Sequence, residues 1–275
     1  MATIDAAAIA ALRSSPSTTA MCSGAEGPSR KPSTSSPLPK KLSALSPKQK
    51  SRLLPTKTGQ RLLRFDRRLG ARFVAGADEA GRGSLAGPLV VAGVLLDYGS
   101  LRDHRVRPLA QLNDSKQVAP EDREELFRAV MACAAGVSVQ VVSPGEIDRE
   151  GLHRSNLNGL RRALHALAPP AEACLVDGFR LGPAAPEHIA VVDGDERSAA
   201  IAAASIVAKV VRDRTMRRMD AVYPRYGFSS HVGYITPTHS RLVREHGPCH
   251  IHRRSFQALC YLSEEEAAAR VATAV

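Results

Sequence analysis

Two adjacent carboxylates, Asp78 and Glu79, are the residues whose type and spacing most clearly could do chemistry. They follow a short apolar run, Val74 to Ala77, which predicts that at least one acid is fixed at the end of a buried strand. Two carboxylates held side by side repel each other unless a cation or a proton relieves the repulsion. The pair is therefore a candidate metal site, although an ordinary hairpin loop also attracts Asp and Glu.

Glycines follow the pair of acids, at Gly81, Gly83 and Gly87. They allow the backbone to turn sharply and to approach a ligand closely. The apolar segment from Pro88 to Leu96 then predicts a second strand, which would form an antiparallel hairpin with the first. A dinucleotide-binding loop needs G-x-G-x-x-G opening a helix, whereas this spacing is G-x-G-x-x-x-G before β-branched residues. The pattern therefore argues against a nucleotide fingerprint.

Three further acids lie where they could join the pair. Asp177 ends an apolar run, Asp195 precedes a long predicted helix from Glu196 to Tyr223, and Asp213 lies on that helix. Clusters with oxygen ligands alone favour hard cations such as Mg²⁺ or Mn²⁺, and paired ions of this kind support phosphoryl transfer. Each acid also has a structural explanation: a turn after Asp177, a helix N-cap at Asp195 and a helical ion pair at Asp213.

The excess of positive charge lies in the N-terminal part of the chain. The net charge is +11, and residues 1–72 carry 14 Lys and Arg against three acids, so the remainder carries 24 of each sign. Residues 1–56 are rich in Ser, Pro and Lys and predict a disordered basic arm. Residues 57–72 predict a basic helical lead-in, and residues 73–275 the folded domain. The arm resembles a transit peptide in composition, but its few arginines and frequent prolines favour an untargeted tail.

The remaining composition bounds the class of protein. Hydrophobic residues make up 44% of 275 residues, and no apolar run approaches the length of a membrane span. The five cysteines are scattered and never in C-x-x-C spacing, which predicts reduced thiols and a cytoplasmic protein. The middle of the long helix, Ala199 to Ala208, consists almost entirely of small residues and predicts close packing against a flat neighbour such as a sheet.

The segment GADEAGRGSLAGPLVVAGVLL resembles the signature of prokaryotic-type ribonuclease HII. Later motifs occur in the order of that family: LNDSKQ, LVDG, GDERSAAIAAASIVAKVVRDRTM, YPRYGFSSHVGYITPTH and IHRRSF. The resemblance covers Phe73 to Phe256 and implies an α/β, RNase H-like fold, with a mixed sheet flanked by helices and a C-terminal helical portion. It also implies a metal-dependent endoribonuclease that cuts RNA in RNA/DNA hybrids. The same resemblance implies nicking on the 5′ side of single ribonucleotides embedded in duplex DNA, leaving 3′-OH and 5′-phosphate ends.

The resemblance also implies roles for individual residues. Asp78, Glu79 and Asp177 match the carboxylates that bind two Mg²⁺ or Mn²⁺ ions, while Asp195 and Asp213 both match acidic positions, so the fourth acid stays open. The resemblance implies that a turn of three residues senses the ribose 2′-OH: Gly81, Arg82 and Gly83. It also implies that a polar loop with Asn113, Ser115 and Lys116 lies near the phosphates. Tyr234 matches a tyrosine that packs on the next deoxyribose. The expected partners are the RNA/DNA hybrid, ribonucleotide-containing duplex DNA and a sliding clamp. The protein is expected to be a monomer that does not bind a membrane.

Two positions depart from the family pattern. Asp193 stands where a lysine is expected in K-G-D, and Val232 stands where a lysine is expected in H-K-G-Y. Both changes remove positive charge from the substrate side, so we expect weaker phosphate binding, which the basic arm could offset. Two alternatives remain: a hybrid-specific nuclease of the same fold, against which Arg82 and Tyr234 argue, and a non-catalytic binding protein, which would have lost a metal acid.

Overall fold

The computed structural model describes residues 57–101, 109, 112, 120–256 and 258–262. The predicted arm, the polar loop with Asn113, Ser115 and Lys116, and the last residues of the predicted C-terminal helical portion, 263–275, lie outside these residues. Within the described ranges, no helix combines the length and the apolar character needed to cross a membrane.

A five-stranded sheet lies at the centre of the described residues. Its strand order is β3-β2-β1-β4-β5, with β2 antiparallel to β1 and β3, and β4 parallel to β1 and β5. This confirms the predicted mixed sheet and the predicted hairpin. In chain order the elements are α1 (Lys57–Arg67), β1 (Phe73–Ala80), β2 (Leu89–Asp97), α2 (Pro120–Cys133), β3 (Gly136–Val142), α3 (Pro144–Glu150), α4 (Leu152–His165), β4 (Ala173–Asp177), β5 (Ile189–Val191), α5 (Ala199–Val222), α6 (Phe228–His231) and α7 (Pro237–His246).

The long helix α5 packs closely on β1 and β2, because both sides of the contact carry small residues. A Cβ added to Gly76 of β1 would lie 2.2 Å from the backbone of Ala200, so only glycine fits there. The alanines of α5 from Ala199 to Ala204 are buried in the same core cluster as Val74 and Leu96. The predicted packing of the small-residue helix on a sheet is therefore confirmed.

Helix α4 covers the opposite face of the sheet. Its buried Leu160 and Leu164 form a second core cluster with Ala75 and Ala77 of β1. Since side chains alternate between the two faces of a strand, β1 contributes Val74 to one core and Ala75 to the other. The central strand is thus buried on both sides, which holds the residues at its carboxyl end in fixed positions.

The start of α5 differs from the prediction. The helix begins at Ala199, and Ser198 is its N-cap: the Ser198 hydroxyl accepts a hydrogen bond from the Ile201 amide. Asp195 lies before the helix in a 3₁₀ turn, Gly194–Glu196, so the prediction that Asp195 caps a helix starting at Glu196 is wrong. The Gly194 amide donates to the Asp177 side chain, which anchors the turn at the end of β4.

Helix α1 is fixed to the same region. Asp66 is fully buried, and its Oδ2 accepts hydrogen bonds from the Ala200 amide at 2.9 Å and from the Tyr98 hydroxyl at 2.7 Å. Burial raises the pKa of Asp66 to about 6, although these hydrogen bonds act in the opposite direction. Arg61 donates to the carbonyl of Glu196, next to Asp195. The predicted basic lead-in is therefore packed against the turn that carries a candidate acid.

Candidate active site

Asp78 and Asp177 meet because they lie side by side near the carboxyl ends of two neighbouring parallel strands; β1 continues past Asp78 to Ala80, so the prediction that the strand ends at this acid is wrong. Ala77 of β1 pairs with Val176 of β4, so the next residue of each strand lies at the same edge of the sheet. The core assignments place Val74 and Leu175 on the α5 face, and the two-residue alternation puts both acids on that face as well. The sheet register therefore brings together two carboxylates that lie far apart in the sequence.

The electrostatic environment of Asp78 is unfavourable to its charge. Burial, and next the negative charges of Glu79 and Asp177, raise the pKa of Asp78 well above its ordinary value. Hydrogen bonds from the Ser205 hydroxyl and the Glu79 amide, the latter 2.7 Å from Asp78 Oδ1, oppose this shift. The site thus concentrates negative charge in a place that water cannot fully solvate, which is the environment that a cation relieves.

Asp195 reaches the same place through its short turn. The Gly194 amide donates to Asp177 Oδ1 at 2.7 Å, which ties the turn to the end of β4. Asp193 begins the turn in the left-handed region, with φ of 51°. Asp195 follows directly and is buried. Two of the acids are therefore positioned by one backbone hydrogen bond.

Asp213 is held differently. One of its carboxylate oxygens lies 2.9 Å from Lys209 Nζ and the other 3.5 Å from Arg123 Nη1, in buried ion pairs. This is the helical ion pair that the sequence offers as the structural explanation, extended by a second cation from α2. Of the two candidates for a fourth acid, Asp195 has its side chain in the cleft with the other acids, and Asp213 pairs with basic residues.

These side chains surround a cleft of about 550 Å³. Four of the five candidate carboxylates line it, all but Asp213, together with the glycine–arginine–glycine turn and Tyr234. The predictions omitted three polar residues that also line it, on α5 and α2. The lining residues are Asp78, Glu79, Ala80, Gly81, Arg82, Gly83, Arg123, Asp177, Asp195, Ser205, Lys209 and Tyr234.

The omitted residues differ in how far the sequence signals them. Ser205 and Lys209 are one helical turn apart on α5, and that spacing predicts a shared face with Asp213. The face is therefore predictable, although its contact with the acids depends on the packing of α5 against β1. Arg123 lies on α2 with no local pattern that connects it to the site.

The donor set fits a hard divalent cation. Asp78, Glu79, Asp177 and Asp195 offer only carboxylate oxygens, the ligands that Mg²⁺ and Mn²⁺ prefer. In their present positions, no three acidic, His or Cys side chains of the described residues form a group tight enough to hold an ion. Mutual repulsion keeps carboxylates apart, and a cation that attracts them would reverse that effect. The residue types and their burial therefore suit a metal centre.

The side chain of Arg82 is held above the loop that follows β4. Its guanidinium carbon lies 4.8 Å from the centre of the Phe179 ring, and Nη1 lies 4.0 Å from Glu79 Oε1. Cation–π contact and the nearby carboxylate both favour this position. Arg82 thus lines the cleft beside the acids while its side chain stays partly exposed.

Tyr234 is set against two cations and fixed through its backbone. Lys209 Nζ and the guanidinium carbon of Arg212 lie 5.0 and 5.1 Å from the ring centre. The Tyr234 carbonyl accepts a hydrogen bond from His239 Nδ1 at 2.9 Å. Val232, two residues earlier, has φ of 43°, an uncommon conformation for a β-branched residue.

Three buried histidines support this loop. The Cys249 amide donates to His252 Nδ1, so the proton of His252 is on Nε2 and is donated to His239 Nε2 at 3.1 Å. His239 in turn donates from Nδ1 to Tyr234. The third ring, His231, stacks on His239 with centroids 4.1 Å apart. Burial lowers the pKa of both His239 and His252 to about 4.

Comparison with known proteins gives consistent matches. A family model described as Ribonuclease HII matches residues 75–259. The chain is similar to ribonuclease HII of Geobacillus kaustophilus, with 43% identity over 200 residues that cover 72% of this chain and 74% of the relative. It is also similar to ribonuclease HII of Rhizobium meliloti, with 48% identity over 185 residues that cover 67% and 82%.

Solved structures support the same relationship. Ribonuclease H2 from Pyrococcus horikoshii is 27% identical with a TM-score of 0.59, and the match covers 72% of this chain and 98% of that one. A chain in the structure of the PCNA:RNase HII complex from Archaeoglobus fulgidus is 26% identical with a TM-score of 0.59, covering 70% and 98%. The predicted RNase H-like fold is therefore confirmed, and the matched range includes every residue that lines the cleft.

Proposed function

The chain belongs to the ribonuclease HII family and is an endoribonuclease acting on RNA/DNA hybrids, and we propose that it also nicks duplex DNA at single embedded ribonucleotides. The cut is on the 5′ side of the ribonucleotide and leaves 3′-OH and 5′-phosphate ends. One observation carries the proposal: the turn Gly81–Gly83 lines the same cleft as Asp78, Glu79, Asp177 and Asp195. A backbone turn without side chains at two positions can approach a sugar closely, and the 2′-OH is what distinguishes RNA from DNA there.

The carboxylates are the residues that would hold two Mg²⁺ or Mn²⁺ ions, with Asp78, Glu79 and Asp177 as core ligands and Asp195 as the fourth acid. Bound ions would supply a more acidic water as nucleophile and offset the charge on the leaving 3′ oxygen. The protein contributes orientation. Ser205 and the Glu79 amide fix Asp78, and the Gly194 amide fixes Asp177, so neither carboxylate rotates freely.

The basic side of the cleft would bind the substrate backbone. Lys209 and Arg123 line it together with the acids, and both also contact Asp213. This pairing places their positive charges at fixed points for phosphate groups. Tyr234, held against Lys209 and Arg212, would offer its ring to the deoxyribose after the ribonucleotide. The loop with Asn113, Ser115 and Lys116 would add phosphate contacts.

The proposal extends to a protein partner and to the cellular compartment. The Archaeoglobus fulgidus relative is described in a complex with PCNA, which supports a sliding clamp as a partner of this chain as well. We propose that the protein is a monomer in the cytoplasm, and the scattered cysteines favour that compartment.

The test is a nicking assay on a duplex that contains one ribonucleotide, with Mg²⁺ or Mn²⁺. We expect a single nick on the 5′ side of the ribonucleotide and no cleavage of the matching all-DNA duplex. Asp78→Asn keeps the shape of the side chain but removes its charge, so activity should fall by roughly 10³-fold or more while folding and hybrid binding persist. Cleavage confined to runs of ribonucleotides would favour the hybrid-specific alternative, and near-normal turnover of Asp78→Asn would contradict the site.

A further inference from the structure

The loop from Arg82 to Pro88 begins in the turn that lines the cleft, and several of its carbonyl groups accept hydrogen bonds from two buried arginine side chains. Between residues 82 and 88, the carbonyls of Arg82 and Gly87 accept hydrogen bonds from the side chain of Arg253. Those of Ala86 and Pro88 accept from the side chain of Arg212. The donor groups come from α5 and from the segment after α7, so distant parts of the chain determine the position of this loop.

The amide side of the turn is arranged differently. The amides of Ser84, Ala86 and Gly87 donate to backbone carbonyls. Among the described residues, no hydrogen bond is formed by the amides of Arg82 and Gly83, which line the cleft. A turn that lines a cleft and whose amides have no hydrogen-bond partner among the described residues has N–H groups available for an oxygen atom of a ligand.

Arg212 and Arg253 are an unusual means of holding a loop. Both side chains are fully buried. Burial lowers the pKa of Arg253 to about 9, and the positive charge of the nearby Arg212 contributes to this shift. In the described residues, the hydrogen bonds of both guanidinium groups go to carbonyl oxygens and none to a carboxylate. Buried charges without a carboxylate partner are costly for stability, so their presence calls for an explanation other than stability.

We propose that Arg253, together with Arg212, is a positioning residue for ribose recognition, because it sets the turn so that the amides of Arg82 and Gly83 meet the 2′-oxygen of the ribonucleotide. The inference rests on the proposed function. Arg253 itself does not contact the substrate, since it is fully buried behind the turn. Its rigid guanidinium bridges Arg82 and Gly87, five residues apart in the loop, which the single ammonium of a lysine cannot reproduce.

The test compares affinities in the non-cleaving Asp78→Asn background. Two duplexes of identical sequence are used, one entirely DNA and one with a single ribonucleotide, and the ratio of their dissociation constants measures ribose preference. Arg253→Lys is compared with Arg254→Lys, a matched control in which the neighbouring exposed arginine, which donates to the Pro248 carbonyl, undergoes the same change. Thermal stability is measured for each variant.

We expect Arg253→Lys to reduce the ribose preference roughly tenfold, the effect of about one lost hydrogen bond, with affinity for the all-DNA duplex unchanged. Arg254→Lys should keep the preference. An Arg253→Lys variant with the full preference, or with both affinities weakened equally, would overturn the proposal. If Arg253→Lys does not fold, Arg212→Lys is judged by the same ratio. The proposed function itself would be contradicted if the Asp78→Asn protein showed no ribose preference and the wild-type protein did not nick the duplex with one ribonucleotide.

Discussion

Gly81 lies directly against the guanidinium of Arg212: a Cβ on Gly81 would be 1.8 Å from Arg212 Nε. Gly81 also has φ of +88°, a conformation that side-chain-bearing residues rarely adopt. Both facts require glycine at this position. Gly83, two residues later, has open space where a Cβ would lie.

The two glycines should therefore respond differently to alanine. We expect Gly81→Ala to lower the free energy of unfolding by about 2 kcal/mol or more, because it combines backbone strain with a displaced buried arginine. Gly83→Ala should leave the unfolding free energy within about 0.5 kcal/mol but reduce cleavage, since its methyl group would project into the cleft. Chemical denaturation and nicking rates of both variants check this, and equal destabilisation by the two would contradict it.

The two candidates for the fourth acid can be separated by a pair of isosteric changes. Asp195→Asn should abolish cleavage with little effect on stability, because Asp195 lines the cleft. Asp213→Asn should lower the free energy of unfolding by about 1.5–3 kcal/mol, since it removes the buried negative charge and turns one of the two oxygens that face Lys209 and Arg123 into a donor. Turnover in Mg²⁺ and thermal unfolding are measured together. Retained turnover in Asp195→Asn with lost turnover in a stable Asp213→Asn protein would reverse the assignment.

The unusual backbone conformation of Val232 predicts that an unbranched residue at this position makes the protein more stable. Val232→Lys should raise the free energy of unfolding by roughly 1 kcal/mol, because an unbranched side chain tolerates its φ of 43° better. It should also strengthen hybrid binding, and the slope of log affinity against log salt should steepen by about one. Val232→Gln is the matched control: it should gain the stability but not the salt dependence. An identical salt slope for the two variants would refute the electrostatic part.

The histidine network predicts acid sensitivity. His239 and His252 have pKa values of about 4 in the folded protein against 6.5 for an ordinary histidine, so the unfolded chain binds more protons between these values. Their contribution to stability is complete above pH 6.5 and is lost as the pH falls towards 4. We expect the urea midpoint to fall steeply over this range.

A histidine variant tests the origin of that slope. His252→Asn keeps an acceptor for the Cys249 amide but cannot be protonated, so its stability should depend less on pH than that of the wild type. His250→Asn changes an exposed histidine close by and should keep the wild-type slope. Parallel pH profiles for the wild type and His252→Asn would show that the network is not responsible.

Local patterns were sufficient for much of the fold and for part of the site. The hairpin is encoded by two apolar runs separated by glycines, and the close packing of α5 by its alanines. Asp177 is predictable as a strand-end acid, whereas β1 continues through Asp78 to Ala80, beyond the end that its apolar run predicts. The N-cap of α5 was misassigned because Asp195 and Ser198 are both good capping residues, and only the contact of Gly194 with Asp177 decides between them.

The roles of Arg212 and Arg253 could not be read in this way. A charged residue is ordinarily expected at the surface, yet both are fully buried, and the carbonyls that they bind lie 124 and 166 positions away in the sequence for Pro88 and Gly87. No spacing rule connects positions so far apart. Such contacts emerge only after the sheet and α5 have defined where the loop lies.

The pairing of β1 with β4 has a consequence for synthesis of the chain. Val74 pairs with Ala173, and the segment between them contains β2, β3 and the helices α2, α3 and α4. At about 5–20 residues per second, roughly 5–20 s separate the synthesis of Asp78 from that of Asp177. Contacts so distant in sequence form late in folding. Asp78 and Asp177 therefore come together only when β4 pairs with β1, so the carboxylate cluster is complete only after about a hundred further residues have been synthesised.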